Sequence, residues 1–457
     1  MKRPLVPEDW GLHAGANGEL MIGNHGTLGM ARKFGTPLHI IHEQRLERTA
    51  GDFLRTARAS YRGRVNVHFA MKCNSVPAVV ETILAAGLNL EVMTGYELLL
   101  ALRLGCPGEH IIVNGPCKTA AFLRACMKAG VRLIIADSIE ELRDIDALAT
   151  ASGCTRDVLL RINPDYTPRG TSAGSGSANR KGCAFGLDLR GGEVAAALQL
   201  VGELRSIRFR GFHLHIGTGI RRPDDYSRAV RRMRPAIQLC RAMGQRIDII
   251  DVGGGFAAQT TREMRSTELL LYQAFGKLPE GRIDASDCRV ASFTRAAVHA
   301  VELEFSGREL PELIFEPGRS IASGNQFMLL TVHRVKRRAG AGRWLIADGG
   351  LSTVTLPTYY ECHEVFLCND VRRMSDGHAT IVGPACFAGD IVYKNKPMPE
   401  VAPGEVLALM DSGAYFTALE SSFGFPRPAI VAVRGANCRL VRTRESFGDM
   451  IARDVFD

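Results

Sequence analysis

A lysine at the end of an apolar segment is the first residue that could do unusual chemistry. Lys72 lies in HFAMKCN, 68–74, where a solvated ammonium group is out of place. Burial in a low dielectric lowers the pKa of a lysine amine, and a neutral amine is what attacks a carbonyl carbon to form a Schiff base. The structural alternative is a strand-end lysine whose side chain extends to water.

Two more segments carry groups that could hold a ligand. In FHLHIGTG, 212–219, strand alternation points His213 and His215 the same way. The pair could bind a metal, although no third ligand or HExxH helix accompanies it, or His215 could lie flat on an aromatic ring. In IDVGGGF, 250–256, three glycines after a strand let backbone N–H groups approach an anion, with a tight structural turn as the alternative.

The remaining candidates follow the last strand of this pattern. Glu316 and Arg319 flank a Pro-Gly turn in FEPGRSIA. A buried carboxylate there could keep a pyridine nitrogen protonated and the guanidinium could bind phosphate, whereas a local ion pair is the alternative. GPACFAGD at 383–390 adds a thiol, and DSGAYFTALESSFGFPRP at 411–428 adds turns. Together these groups match what pyridoxal-phosphate (PLP) chemistry requires.

The elements that must position these residues form a repeating pattern. Short apolar runs alternate with helical periodicity, as at 76–87 and 95–105, which predicts a parallel sheet buried on both faces. Eight such units in about 250 residues favour a closed (β/α)8 barrel, whose active face lies at the carboxyl ends of its strands, over an open doubly wound sheet. The predicted strands are 65–71, 89–93, 110–114, 131–136, 157–163, 208–216, 247–253 and 312–316.

The residue pattern changes after residue 320, where short segments rich in β-forming residues are separated by Gly, Pro or Asn. The predicted fold class is therefore α/β plus all-β. A barrel spans 38–316, and residues 1–37 with 317–457 form a β domain, a sandwich or barrel. The Gly/Ser-rich stretch 168–180 is expected to be a mobile loop within the barrel rather than a linker.

Composition limits the possible function classes. The 457 residues suffice for two domains, and a net charge of +9 would suit nucleic acid or an anionic ligand, but the arginines are scattered beside acids as on a solvated face. Twelve cysteines without a CxxC pair favour a reduced, cytoplasmic setting. Neither a signal peptide nor a membrane span is recognisable, so we expect no membrane and no nucleic-acid partner.

These motifs in combination resemble those of the fold-type III PLP decarboxylases, the group of diaminopimelate, ornithine and arginine decarboxylases. The resemblance runs from FGTPLHIIHE at 34–43 to SSFGFPRP at 421–428, and its motifs are closest to those of diaminopimelate decarboxylase. It implies an alanine-racemase-like barrel, a C-terminal β domain and a head-to-tail homodimer with shared active sites. It also implies a small-molecule amino-acid substrate.

The resemblance assigns roles to individual residues. Lys72 matches the Schiff-base lysine, His215 the ring-stacking histidine and Glu316 the partner of the pyridine nitrogen. Cys386 matches the proton donor that the neighbouring subunit contributes, and Asp390 its supporting carboxylate. The matching phosphate-binding residues are Gly253, Gly254, Gly255, Arg319, Tyr415 and Thr218, the last where the family usually has Ser.

Departures from the family pattern concern the substrate. Diaminopimelate decarboxylases usually carry an Arg before the Pro of RPxLY and a Glu after the active-site Cys, where this chain has Leu356 and Phe387. Ornithine decarboxylases place an Asp after that Cys. Losing such a charged pair costs roughly 2–5 kcal/mol of binding. Tyr360 keeps the family's substrate-contacting tyrosine, and Arg319 also lies in the predicted substrate site. Ala184 replaces an interface lysine for which Lys181 could substitute.

The predicted activity is therefore decarboxylation of an amino acid whose distal part is larger or less charged than in the familiar substrates. A conjugated diamino acid of siderophore or antibiotic metabolism, or an amino acid on a carrier protein, would fit. The alternatives are decarboxylation of meso-diaminopimelate in lysine synthesis, a racemase or aldolase on the same barrel, and a non-catalytic PLP-binding regulator. A metal-dependent hydrolase based on His213 and His215 is a further alternative.

Overall fold

The computed structural model describes residues 3–169, 182–279, 282–283, 289–354 and 360–456. The chain divides into two compact units. One consists of Arg48–Ala257 and Ser286–Ser320, and the other of Met1–Glu47, Ala258–Ala285 and Ile321–Asp457. Most of the predicted loop 168–180, together with Lys181 and Leu356, lies outside the described residues.

Eight parallel strands form a closed barrel in the first unit, which confirms the predicted barrel over an open sheet. Each strand pairs with its neighbours in sequence, and the last closes the ring because Leu313 pairs with Val65 of the first. All eight predicted strands are present. They are Val65–Ala70, Asn89–Val92, Ile111–Val113, Leu133–Ala136, Arg156–Asn163, Ile207–His213, Ile249–Asp251 and Glu312–Phe315.

Helices connect the strands, and side-chain caps fix where several of them begin. The hydroxyl groups of Thr94, Thr119 and Ser138 each accept a hydrogen bond from a backbone N–H in the first turn. Glu43–Ser60 precedes the first strand. The helices between strands are Pro77–Ala85, Gly95–Arg103, Ala120–Ala129, Ile139–Ala151, Glu193–Glu203, Asp224–Arg232, Arg234–Ala242 and Val290–Glu304.

The barrel interior is a packed apolar core, so polar chemistry is confined to its ends. A buried cluster is contributed by strands around the ring: Ile112, Leu133, Ile135, Leu159, Ile249 and Ile314. Burying such side chains is worth roughly 1.5–3 kcal/mol each. Lys72, Glu91, Asp251 and Glu316 come at or just after the carboxyl ends of their strands, which places them at one mouth of the barrel.

The second unit is built on a mixed nine-stranded sheet, as the β-rich sequence after residue 320 predicts. Leu38–His42 lies near its middle, between two strands of the C-terminal part. The prediction began the barrel at residue 38, whereas this strand is fully engaged in the β sheet. The other strands are Gln326–Arg338, Gly342–Ala347, Val365–Leu367, Gly377–Val382, Ile391–Met398, Val406–Leu409, Ala429–Arg434 and Asn437–Arg442.

Smaller elements complete this unit. A three-stranded sheet consists of His13–Ala14, Leu20–Ile22 and His25–Gly26, and the segment around LMIG lies in this unit. Its helices are Thr27–Phe34, Ser266–Phe275, Leu351–Val354, Phe416–Leu419 and Phe447–Ile451. Among the described residues, no helix has both the length and the apolarity that a membrane crossing requires.

Candidate active site

Lys72 lies at the carboxyl-end mouth of the barrel and is held there by a buried carboxylate. A single 3-10 turn, Met71–Cys73, follows the first strand and carries the lysine. Its Nζ donates to Oε2 of Glu91 at 2.8 Å, and the Glu91 side chain is only 1% exposed. Burial raises the pKa of Glu91 while the lysine charge opposes that rise. The amine therefore has a fixed partner that can hold its proton.

Three polar groups converge beside this pair. Glu316 Oε2 lies 3.5 Å from Nε2 of His213, and ligand atoms of His213, Asp251 and Glu316 all lie within 4.8 Å of one another. All three side chains are buried. Burial lowers the pKa of His213 well below its usual range, so this imidazole is neutral.

Two carboxyl groups lie close together in this cluster. Burial raises the pKa of Asp251 and of Glu316, and the charge of Glu316 raises the pKa of Asp251 further. Neither Asp251 Oδ2 nor Glu316 Oε1, both buried, has a donor among the described residues, although Oδ1 of Asp251 accepts from the Gly253 N–H at 2.8 Å. Two adjacent carboxyl groups cannot both ionise cheaply in such a site. Glu316 is thus placed to exchange a proton with a ligand nitrogen.

The cluster of His213, Asp251 and Glu316 can be compared with the metal site considered for His213 and His215. His213, Asp251 and Glu316 are close enough together to offer ligand atoms to one ion, but His215 is not part of that group. Instead, Nδ1 of His215 accepts from the Gly254 N–H at 3.3 Å. Burial lowers the pKa of His215 well below its usual range, so its ring is neutral and available for stacking.

The glycine loop forms a backbone cradle that side chains would fill. Gly253 has φ +65° and Gly255 has φ +88°, a region that favours glycine. A Cβ added at Gly254 would overlap the carbonyl oxygen of Glu316, and one at Gly255 would overlap that of Gly217. The loop therefore has the compact form, without side chains, that is typical of anion-binding turns, and in this structure the Gly253 and Gly254 N–H groups donate to Asp251 and His215.

Replacing Gly254 by alanine is expected to destabilise the protein by about 1–3 kcal/mol and to weaken cofactor binding, because Glu316 must shift to make room. Urea unfolding and a cofactor titration measure both effects. Gly29→Ala is the matched control, since no atom lies within 4 Å of its added Cβ. Equal effects from the two substitutions would contradict the cradle.

Arg319 and Thr218 also lie together at this mouth. Nε of Arg319 donates to Oγ1 of Thr218 at 3.3 Å, although the residues are a hundred positions apart in sequence. The Arg319 side chain is buried, so its guanidinium is oriented by the protein rather than by water. The pair, together with the glycine loop, can hold an anionic group.

Several residues at this mouth escaped the sequence analysis. Arg161 is buried, donates to Asp137 at 3.1 Å and lies 4.6 Å from the centre of the Phe185 ring. Asn114 Nδ2 lies 3.3 Å from Nε2 of His213. Glu91 and Asp251 were also missed. Each of these residues is a charged or amide side chain within or directly after an apolar run of a barrel strand.

Glu97 lies in the first turn of the helix Gly95–Arg103, and its buried carboxyl group gives a pH prediction. Burial raises the pKa of Glu97 to about 7, although its Oε2 accepts from the Met93 N–H at 2.7 Å. Because the folded state binds this proton more tightly than the unfolded chain does, stability falls as the pH rises from about 4.5 to about 7. Glu97→Gln lacks the titration and keeps an acceptor for the Met93 N–H.

Urea unfolding at pH 5 and pH 8 measures the free energy of unfolding of both proteins. Relative to wild type, the free energy of unfolding of the Glu97→Gln variant should be about 2–3 kcal/mol more favourable at pH 8 than at pH 5. Glu81→Gln, at an exposed position of the preceding helix, should show no such gain. A difference between the Glu97→Gln variant and wild type that does not change with pH would contradict the assignment.

The predicted thiol and its carboxylate lie in the β unit. Cys386 is exposed, whereas Asp390 is buried four residues later. Asp390 accepts from the backbone N–H groups of Leu351 at 2.5 Å and Ala385 at 2.7 Å. The carboxylate thus fixes the turn that presents the thiol, which is a supporting role rather than direct contact.

An exposed aromatic pair adjoins the thiol. Phe387 and Phe423 are 50% and 53% exposed, and their ring centres are 6.0 Å apart. Two half-exposed phenylalanines side by side form an apolar surface with no charge to bind a distal ammonium or carboxylate. Tyr360 is half-buried in the same unit, and its carbonyl accepts from the Met264 N–H at 2.6 Å.

Tyr415 lies in a constrained segment of the β unit. Asp411 and Tyr415 have φ +62° and +68°, which non-glycine residues adopt at a cost of roughly 1–3 kcal/mol. The buried Asp411 carboxylate accepts from Trp10 at 3.1 Å and from Thr260 at 2.5 Å. These bonds stabilise the DSGAY backbone, so the position of Tyr415 is set by its surroundings.

Comparisons with known proteins agree with these features. A family model described as pyridoxal-dependent decarboxylase, pyridoxal binding domain, matches residues 47–323, and one described as its C-terminal sheet domain matches residues 290–413. Diaminopimelate decarboxylase of Actinosynnema pretiosum subsp. auranticum is 32% identical over 448 residues, which are 96% of this chain and 93% of that protein. Diaminopimelate decarboxylase of Mycobacterium tuberculosis is 31% identical over 436 residues, covering 93% and 92%.

Solved structures show the same architecture. Diaminopimelate decarboxylase from M. jannaschii superimposes with a TM-score of 0.84 at 25% identity, covering 98% of each chain. Lysine/ornithine decarboxylase from Vibrio vulnificus, solved with putrescine, reaches 0.69 over 89% of this chain and 97% of that one at 20% identity, which shows the fold alone. The barrel's buried acids and glycine cradle fit the cofactor of this family. The chain therefore belongs to the fold-type III pyridoxal-dependent decarboxylases and is a PLP-dependent amino-acid decarboxylase.

Proposed function

We propose that Lys72 is the residue that binds PLP covalently through Nζ, and that the chain decarboxylates an amino acid with an uncharged or enlarged distal part. The observation that carries the first part is the Lys72–Glu91 pair beside the buried Glu316 at one mouth of the barrel. When bound, PLP supplies an electron sink for the pair of electrons left when the bond from Cα to the carboxylate breaks.

The residues at the barrel mouth then have distinct tasks. Glu316 would hold a proton at the pyridine nitrogen, with the carboxyl group of Asp251 close beside it. Neutral His215 would provide a flat face for the ring. The glycine cradle, with Arg319 and Thr218, would bind the phosphate, and we assign Tyr415 to the same set.

Glu91 controls the proton on the lysine. A Lys72 amine must be neutral to bond with a carbonyl carbon, and the adjacent carboxylate can accept the proton that leaves Nζ. Burial raises the pKa of Glu91, which favours its accepting this proton. Glu91 would therefore hold and return the proton of Nζ within the site.

Cys386 is proposed to return a proton to Cα after CO2 has left. Its exposure in the isolated chain suits a thiol that completes the active site of a second copy, and Asp390 holds its turn in place. We therefore propose a homodimer with shared active sites. A Cys386→Ala variant should still form the dimer and bind substrate, but it should form the amine product more slowly than the wild type does.

Phe387 supports the proposal for the substrate. Phe387 follows the thiol at the position where the enzymes that this chain resembles carry a carboxylate, and its ring lies 6.0 Å from that of Phe423. An apolar surface favours a distal group that is acylated, conjugated or carried on a larger molecule, since a free distal ammonium would lose its ion pair. The alternative substrate is meso-diaminopimelate, because the curated relatives cited above are diaminopimelate decarboxylases.

Borohydride reduction of the purified protein with PLP, followed by peptide mass spectrometry, tests the function. The cofactor is expected on Lys72 and on no other lysine, and the same preparation should release CO2 and an amine in equal amounts from its substrate. A product with the carboxylate retained and inverted stereochemistry would instead indicate a racemase. Labelled Lys72 without turnover of any amino acid would indicate a non-catalytic PLP-binding regulator.

A further inference from the structure

A second polar cavity lies at the opposite end of the barrel from Lys72. It is bounded by residues that precede or begin the strands, among them Arg64, Asp248 and Glu312, so it opens at the amino-end mouth. Its volume of about 630 Å³ would accommodate a small metabolite. The catalytic proposal uses no residue of this cavity.

Positive charge dominates its lining. Five arginines and three carboxylates face the cavity, and its apolar wall includes Phe305 and Leu310. The arginines are Arg64, Arg210, Arg241, Arg246 and Arg308. Arginine presents planar, fixed donors that match phosphate and carboxylate oxygens.

The carboxylates in the lining are already engaged. Both oxygens of Glu312 accept from Arg132, at 2.6 and 2.7 Å, and Arg132 does not line the cavity. Asp248 forms ion pairs with Arg246, at 2.5 Å, and with Arg210, at 3.3 Å. Glu309 pairs with Arg246 at 3.0 Å. The acids therefore neutralise only part of the arginine charge.

Three guanidinium groups keep donors available for a ligand. Arg64 lies 3.9 Å from Glu312, is 84% exposed and meets a carboxylate that Arg132 already binds. Arg241 donates to the carbonyl of Glu304 at 2.9 Å and packs on Phe305. Across the described part of the chain, neither Arg241 nor Arg308 has a carboxylate within 4.0 Å.

A buried donor inside the same cavity supports the assignment. Nε of Arg210 is shielded from solvent and has no hydrogen-bond partner among the described residues, since Asp157 lies 3.6 Å away. A buried donor without an acceptor is unfavourable, and an anionic ligand would supply the missing acceptor. We propose that this cavity, the amino-end pocket, binds a small organic anion with at least two phosphate or carboxylate charges.

The test uses holoenzyme from which free cofactor has been removed, titrated with inorganic pyrophosphate in a calorimeter at constant ionic strength. Citrate is the parallel probe, and the two distinguish phosphate from carboxylate recognition. The visible absorbance of the bound cofactor is recorded at each step, so displacement of PLP by pyrophosphate would be seen. Saturable binding of either probe with that absorbance unchanged is expected.

Variants locate the site. Arg308→Gln should weaken binding by about tenfold to a hundredfold, because a charge-assisted hydrogen bond is lost, whereas Arg308→Lys should retain part of the affinity. Arg143→Gln, an exposed arginine on the helix Ile139–Ala151, should bind as the wild type does. The proposal is overturned by an absence of saturable binding, by equal heat from chloride at matched ionic strength, or by unchanged affinity in the Arg308→Gln variant.

Discussion

The Lys72→Arg variant is expected to lose turnover by on the order of a thousandfold or more and to lose the covalent cofactor bond entirely. Guanidinium remains protonated at accessible pH, so it cannot bond with a carbonyl carbon. It does keep a positive charge beside Glu91, whose carboxylate is buried. The substitution should therefore abolish turnover without unfolding the protein.

Visible absorbance after PLP addition, mass spectrometry of the reduced protein and urea unfolding measure this prediction together. Lys72→Ala serves as the comparison, because it also leaves the buried Glu91 without its cation and should cost roughly 3–5 kcal/mol of stability. Turnover by the Lys72→Arg variant within tenfold of wild type would exclude Lys72 as the covalent anchor.

Phe387→Glu is expected to raise kcat/KM for meso-diaminopimelate by roughly tenfold to a hundredfold. A carboxylate after Cys386 would supply a charge-assisted hydrogen bond to the distal ammonium, worth about 1.5–3 kcal/mol. The fold should tolerate the change, since Phe387 is half-exposed and its aromatic contact is with the equally exposed Phe423. Steady-state CO2 release measures the gain.

Two controls isolate the effect of position and charge. Phe387→Leu keeps the surface apolar and should give no gain with meso-diaminopimelate. Phe447→Glu adds the same charge at a 76% exposed phenylalanine elsewhere in the β unit and should leave kcat/KM unchanged. An equal gain from Phe447→Glu, or none from Phe387→Glu, would mean that Phe387 does not face the distal group.

Local patterns were sufficient to predict the barrel. Most of its eight strands contain short apolar runs that are largely buried, so they can be recognised in the sequence without knowledge of their neighbours. The strand Leu38–His42 is equally apolar but pairs in the β unit. The periodicity and hydrophobicity of a segment indicate that it is a buried strand, but they do not indicate which sheet it joins. For that reason the predicted boundary at residue 38 differs from the observed one.

Site residues that belong to a sequence motif were predicted, whereas those whose role depends on contacts across the barrel were missed. Lys72, His215 and Glu316 follow strands and stood out. Glu91 and Asp251 are single acids inside apolar strands, and their importance appears only when the closed barrel brings them next to Lys72 and Glu316. Contacts between residues so distant in sequence leave no local pattern.

The most direct test of the account is CO2 release by the wild-type holoenzyme from matched substrates that differ only at the distal end. Free meso-diaminopimelate, L-ornithine and their distal N-acylated derivatives would be compared by kcat/KM. We expect the acylated compounds to be preferred, because Phe387 and Phe423 present an apolar surface. Efficient and preferred turnover of free meso-diaminopimelate would contradict the altered distal site.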